Sequence, residues 1–181
     1  MKLKPQHAQF LANHIVLNLS KSQGIQIAAT IENLNRLATN IIKDDIQQES
    51  NIENKVRDIL EQYQEEIEEG DINEKQLFAM IKKQVAKEQG FLLSYNERYS
   101  QLAHKILDEF IEEKCIVCNV PENTVKNIML QSVQDYMRFQ EDAYDVVIAK
   151  LKNYNRKLIA GSDEYELVFA RLYEEELAKR G

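Results

Sequence analysis

The sequence predicts an all-α protein built as two tandem four-helix units. Three observations carry that expectation. The 181 residues include only 5 Gly and 2 Pro, too few breakers for the turns that hairpins and sandwiches need about every 8–12 residues. Apolar residues recur three and four apart, the helical spacing. The chain also aligns with itself from end to end, without a gap, at an offset of 91 residues. Leu11-Ala12 and Ile15 fall on Leu102-Ala103 and Ile106. Leu60, Tyr63 and Gly70 fall on Leu151, Tyr154 and Gly161, and Phe78-Ala79 and Gly90 fall on Phe169-Ala170 and Gly181. A repeat of this length implies two related units, 1–90 and 91–181, packed about a pseudo-two-fold axis.

The spacing predicts helices over 5–21, 30–48, 51–69 and 73–88, then over 96–113, 121–139, 142–160 and 163–179. The first rests on Phe10, Leu11, Ile15 and Leu19. The third rests on Ile52, Val56, Ile59, Leu60, Tyr63 and Ile67, and the fourth on Leu77, Phe78, Ile81 and Val85. Val147, Leu151, Tyr154 and Leu158, then Val168, Phe169 and Leu172, repeat these patterns. Val85 falls on Glu176, which suggests an edge position. Ser50-Asn51-Ile52-Glu53 and Asp71-Ile72-Asn73-Glu74 fit capping boxes. Gly70 and Gly161 suit left-handed helix ends, and Pro121 suits a helix start. Residues 20–29 read as a loop. The joint from Gly90 to Tyr95 is short and apolar, whereas a flexible linker would be polar and rich in Gly or Ser, so packed units are expected.

The formal charge is −7, from 23 basic and 30 acidic residues. Residues 1–90 hold 11 and 14 of these, and residues 91–181 hold 12 and 16. Neither half is a basic arm, and a net-acidic chain is a poor match to nucleic acid or an anionic membrane. No run approaches 18 apolar residues, so no membrane span is predicted. Asn13, His14 and Asn18 interrupt the opening apolar run, which reads as a first helix and not a signal peptide. With two cysteines, this points to a reducing cytoplasm.

The stretch KVRDILEQYQEEIEEGDINEKQLFAMIKKQVAKEQGF at 55–91, the opening MKLKPQHAQFLANHIV and the run LAHKIL at 102–107 resemble the bacterial family catalogued as domain of unknown function 507. The resemblance covers essentially the whole chain, including its duplication. It implies a bacterial, soluble protein and carries no activity, ligand or catalytic residue onto these positions.

Four features remain for chemistry. Cys115-Ile116-Val117-Cys118 has the C-x-x-C spacing of thiol–disulfide exchange or of half a zinc site. No second pair of ligands accompanies it, and Gly24 and Ile27 at the matching positions fit small or apolar packing. His7, His14 and His104 read as ordinary helix residues. The first two are seven apart, about 10 Å along a helix, too far to share an ion. Glu65, Glu66, Glu68, Glu69 and Asp71 crowd a helix C-terminus, where acids are unfavourable. They suit a partner's basic patch, a divalent cation or a merely solvated turn, though the loop spacing of an EF-hand is missing. Seven of the eight tyrosines lie after residue 90. Tyr95 and Tyr99 are the contact candidates, against a plain role at the core edge.

No phosphate loop, nucleophile elbow or Glu-x-x-His pair occurs. The sequence therefore favours a non-catalytic protein-interaction or assembly module, with no cofactor or metal and an unnamed protein partner. Glu65, Glu66, Glu68, Glu69, Tyr95 and Tyr99 are its candidate surface. One alternative is a nucleic-acid-associated factor that gathers Lys82, Lys83 and Lys87 with Lys2 and Lys4. The other is a redox-responsive protein acting through Cys115 and Cys118.

Overall fold

The structure is a computed structural model that describes residues 2–70, 73–154 and 158–180, without the side chains of Glu66, Glu68, Glu69 and Arg180. Among the described residues the chain is all-α apart from one short two-stranded ribbon. Helix α1 (His7–Ser20) buries Ala8, Leu11, Ala12, Ile15, Val16 and Leu19, a stripe repeating at three and four. Phe10, expected in that stripe, is 65% exposed. His7 is buried, not solvated. Its Nδ1 accepts from the Lys4 backbone N–H at 3.2 Å.

The expected loop at 20–29 contains a strand, β1 (Ile25–Ile27), and a second strand, β2 (Ile116–Cys118), pairs with it antiparallel. At three residues each, Ile25-Gln26-Ile27 and Ile116-Val117-Cys118 are too short to establish a period of two. Gly24 lets the chain enter β1. Its φ is +80°, and a Cβ there would come within 2.5 Å of Val120 Cγ1, so both backbone and neighbour require glycine. The register pairs Ile25 with Cys118, Gln26 with Val117 and Ile27 with Ile116.

The expected pair of helices over 30–48 and 51–69 is instead one 32-residue helix, α2 (Ile31–Gln62), followed by the single-turn-and-a-half α3 (Gln64–Glu69). Thr30 caps α2 by accepting from the Asn33 N–H at 3.2 Å. Ser50-Asn51-Ile52-Glu53 lies inside the helix and caps nothing. No glycine or proline interrupts the region, and Ile46, Ile52 and Val56 continue one buried stripe across it, so packing overrides the local capping signal. The same fusion joins the expected 121–139 and 142–160 into α6 (Glu122–Lys152). Gly161 therefore ends no helix. Its φ of +84° belongs to the turn before α7 (Asp163–Arg180), where Ser162 Oγ accepts from the Tyr165 N–H at 3.2 Å.

Helix α4 (Glu74–Glu88) starts at Asn73, whose side chain accepts from the Gln76 N–H. The first two residues of the expected Asp71–Glu74 box lie outside the described residues. Helix α5 is Tyr95–Glu112, and Pro121 precedes α6 as expected. The second half thus shows three helices among the described residues, where four were expected.

The chain gathers into two compact units, residues 2–133 and residues 134–181. In the larger, α2 is the central rod and packs against α1, α4 and α5, while α1 also meets β1 and α5 meets β2. Ile52, Val56, Leu60, Val85, Ala86 and Phe91 form one buried cluster, with Ile59, Ile67, Leu77, Phe78, Ile81 and Leu93 around it. Val85 is 3% exposed and so sits in the core, not at an edge. In the smaller unit Met137, Ala143, Val147 and Leu151 are buried on α6. Glu176 is buried too, and Lys150 Nζ donates to its Oε2 at 2.7 Å. That pairing lets a charge stand where the first half has valine.

Candidate functional site

The second half of α2, α3 and the start of α4 enclose a groove of about 470 Å³, lined by Arg57, Leu60, Glu61, Gln64, Ile67, Glu74 and Phe78. Its floor is apolar because Leu60 is buried and Ile67 and Phe78 pack on the cluster below it. Its rim is charged, with Glu61 and Glu74 exposed. Arg57 is held to one side, donating to Asn54 Oδ1 at 2.7 Å and lying 3.9 Å from Glu53 Oε2.

This groove sits in the most acidic part of the chain. Residues 58–74 carry Asp58, Glu61, Glu65, Glu66, Glu68, Glu69, Asp71 and Glu74, and no Lys or Arg. Removing these eight acids from the total of 30 leaves 22 against 23 basic residues elsewhere, so this one region accounts for the chain's net charge. Neither α2 nor α3 has a basic residue in its last turn, and their C-terminal dipoles add to the negative potential. Glu65, from the predicted set, is exposed here. Glu66, Glu68 and Glu69 belong to α3, but their side chains lie outside the described residues, as does Asp71. Sequence reasoning found the acidic run and missed the groove. Leu60, Ile67 and Phe78 line one groove only in the folded chain, which no local spacing reveals.

Along the other part of α2, Asp45, Glu49 and Glu53 stand four apart and form a ladder on one helix face. Arg98, 2% exposed, fills its inner end. Its Nε donates to Asp45 Oδ2 at 2.8 Å, and its other nitrogens reach Asp45 Oδ2 and Glu49 Oε2 at 2.7 Å. The Phe91 ring lies 4.6 Å from the Arg98 guanidinium carbon, a cation–π contact. Lys82 Nζ donates to Glu49 Oε1 at 3.0 Å and to Glu53 Oε1 at 2.7 Å, and Lys2 Nζ donates to both oxygens of Glu53 at 2.7 Å. Burial opposes the charged form of Glu49, yet the bonds and charges of Arg98 and Lys82 outweigh it and hold its carboxyl below the usual range. The same balance lowers Glu53, where Lys2 and Lys82 overcome burial. Asp45, Glu49 and Glu53 are held by Arg98, Lys82 and Lys2, with Arg57 at the margin, so the ladder is a structural clamp between the N-terminal segment, α2, α4 and α5. It engages Lys2 and Lys82, two of the five lysines on which the nucleic-acid alternative rests.

The residues 91 positions further on carry different chemistry. Tyr136, Gln140 and Tyr173 stand there for Asp45, Glu49 and Lys82. Tyr173 donates its hydroxyl proton to Gln140 Oε1, a neutral bond at the position of the Lys82–Glu49 ion pair. Phe169 stacks near Tyr173 and Tyr144, with ring centroids 5.7 and 5.4 Å apart.

Tyr95 and Tyr99 stack on one another with centroids 5.8 Å apart. Tyr99 is 6% exposed, so only Tyr95 reaches the surface. Burial, with the charges of Glu113 and Glu122 respectively, raises the Cys115 and Cys118 thiols above their ordinary range. Cys115 is fully buried, and its carbonyl accepts from the Ala28 N–H at 2.8 Å, extending the ribbon. Three residues of extended backbone separate the two Cα atoms by roughly 10 Å, beyond the span of a disulfide. Among the described residues no helix is long and apolar enough to cross a membrane.

No curated protein matches the sequence. The model of one family matches residues 1–181, and the chain belongs to that family, described as Protein of unknown function (DUF507).

Proposed function

We propose that this protein is a non-catalytic bacterial interaction or assembly module that binds a protein partner at the acidic groove. One observation carries the reading: an apolar floor of Leu60, Ile67 and Phe78 lies open beneath the region that holds the chain's net charge. An apolar patch bordered by polar residues marks an interaction surface. The other polar clusters do not compete for the role. The Arg98 ladder spends its charges on itself, and the two thiols are raised and held apart. Lys2 and Lys82 serve carboxylates, which weakens the nucleic-acid alternative. We place the protein in the cytoplasm.

We also propose that 1–90 and 91–181 are copies of one ancestral unit. The support is local and specific. The ribbon pairs each copy's triplet with the other's, and β1 and β2 begin 91 residues apart.

The test is cross-linking of the full-length protein in native lysate, comparing the unaltered chain with Glu61→Lys/Glu65→Lys. Loss of a specific cross-linked protein with an unchanged melting temperature supports the module. Identical capture by both chains removes the groove. Capture of nuclease-sensitive material instead promotes the nucleic-acid reading.

A further inference from the structure

We infer that the first half of α2 carries a second binding site, which takes a small phosphomonoester on a hydroxylated body. A cavity of about 610 Å³ opens between α1 and α2, and Gln9, Asn35, Arg36, Thr39, Asn40 and Lys43 line it. That volume is in the range of small-molecule sites, roughly 300–1,000 Å³. Asn35, Thr39 and Lys43 stand four apart, as do Arg36 and Asn40, so α2 turns one continuous polar face to the cavity. Lys43 and the nearest groove residue, Arg57, are about 21 Å apart along α2, so this site is separate from the acidic groove.

Two oxygens in the wall call for a ligand hydroxyl. Asn35 Oδ1 and Thr39 Oγ1 are buried and have no hydrogen-bond partner, and Thr39 is 4% exposed. A helical threonine can return its hydroxyl to the carbonyl four residues back, and this one does not. An unpaired polar atom in a buried position is costly. One hydroxyl group on a ligand satisfies both, donating to Asn35 Oδ1 and accepting from the Thr39 hydroxyl. The amides of Gln9 and Asn40 offer further donors and acceptors to the same body.

Two cations call for a dianion. Among the described residues Lys43 makes no hydrogen bond or ion pair. Arg36 donates to the Asn33 side chain at 2.8 Å and forms no ion pair with Glu32, the acid of the lining one turn before it. Arg36, Lys43 and Glu32 thus leave the wall net positive on a chain of formal charge −7. Arg36 and Lys43 stand about 10 Å apart along the helix, with Thr39 and Asn40 midway, so a group above Thr39 is within reach of both side chains. A phosphomonoester carries the second charge that a carboxylate lacks, and the guanidinium fork suits its oxygens.

Calorimetric titration of the full chain at low salt tests the site, with ribose phosphate, adenosine monophosphate and inorganic phosphate as probes. One saturable site with a Kd below about 1 mM is expected for at least one ester. Tighter binding of adenosine monophosphate assigns a nucleotide, and equal binding of the two assigns the sugar phosphate they share. Arg36→Gln and Lys43→Gln, both at exposed positions, should each raise that Kd about tenfold or more, the loss of one charge-assisted bond. Thr39→Val should weaken the ester and leave inorganic phosphate unaffected. It should melt no lower than the unaltered chain, because the hydroxyl it removes is unpaired. Glu61→Lys/Glu65→Lys should bind the ester normally, so this site and the groove fail separately. No saturable binding of either ester overturns the inference, as does binding that Lys43→Gln leaves intact. Inorganic phosphate binding as tightly as the esters overturns the hydroxylated body.

Discussion

Gln26 and Val117 lie opposite one another across the antiparallel ribbon, and they stand 91 residues apart in the sequence. The register is symmetric about them. Ile25 faces Cys118, and Ile27 faces Ile116, so exchanging the two copies returns the same pairs. The flanking bonds obey the same exchange: the Ala28 N–H donates to the Cys115 carbonyl at 2.8 Å, and the Asn119 N–H donates to the Gly24 carbonyl at 2.7 Å. A local two-fold axis therefore passes between Gln26 and Val117. Two copies of one ancestral unit, pairing as a homodimer does, would leave this register.

The Arg98 clamp should be asymmetric in its energetics. Arg98→Ala strands Asp45 and Glu49 in a nearly dry site and should cost about 3–5 kcal/mol. Lys2→Ala removes the outermost cation, 40% exposed, and should cost less than about 1 kcal/mol. Urea denaturation of the full chain measures both, and equal losses would mean that the ladder's inner end is solvated.

The same clamp sets an acid limit. Glu49 and Glu53 have carboxyls held below the unfolded range. Their contribution is complete above the unfolded carboxylate pKa, about 4.3, and is lost as pH falls from there through the folded values. His7 acts in the same direction earlier, because burial and the nearby Lys4 lower its pKa. Its contribution is present above about 6.5 and declines as pH falls through the lowered value. Urea midpoints from pH 7.5 to 3 should therefore decline in two stages. Glu49→Gln/Glu53→Gln should be less stable at pH 7 and should flatten the lower stage. An unchanged lower slope would place the acid sensitivity elsewhere.

Much of this fold is legible in the residues. Leu11, Ala12, Ile15 and Leu19 mark α1, Leu77 and Ile81 mark α4, and Leu102, Ala103 and Ile106 mark α5, because a buried stripe must repeat with the helix. The continuity of α2 through Ser50 is not legible. A capping box is a local pattern, and Glu49 and Glu53, which would serve it, are bound by Arg98, Lys82 and Lys2 from distant parts of the chain. The ribbon escapes for a similar reason, since Ile25-Gln26-Ile27 gains its strand conformation from a partner 91 residues away. At the site, Glu65 was visible as charge, whereas the floor of Leu60, Ile67 and Phe78 exists only once α2, α3 and α4 fold together.

Gly24→Ala should destabilise the chain by about 1–3 kcal/mol, the cost of a side chain at positive φ, with the approach to Val120 adding to it. Gly90→Ala meets nothing within 4 Å at a similar φ and should cost less. Differential scanning calorimetry of the two variants separates the shared backbone strain from the contact at Val120.

Neither thiol should behave as a redox centre. Both are raised by burial, so little thiolate is present at neutral pH. A chromogenic disulfide reagent should react slowly with Cys118 and reach Cys115 only in denaturant. Mild oxidation should leave the full chain without a Cys115–Cys118 bond. Rapid labelling of two thiols in the folded protein would restore the redox reading.

The two-fold register itself can be tested by a cross-link. Bonds at Ala28–Cys115 and Asn119–Gly24 flank Gln26 and Val117 by two residues on each side, which makes the central pair a hydrogen-bonded one. Its Cα atoms are then about 5.5 Å apart, inside the disulfide range. Gln26→Cys/Val117→Cys, made with Cys115→Ala/Cys118→Ser, should therefore oxidise to a single bond within the chain, visible as faster migration on a non-reducing gel. The control Gln26→Cys, keeping native Cys118 and carrying Cys115→Ala, is offset by one residue. Side chains alternate across the ribbon, so its two sulfurs point to opposite faces, and it should oxidise poorly. Oxidation of both pairs at equal rates would mean that the ribbon slides. A bond found only between chains would mean that the strands pair in trans, with the two-fold axis lying between two molecules and not within one.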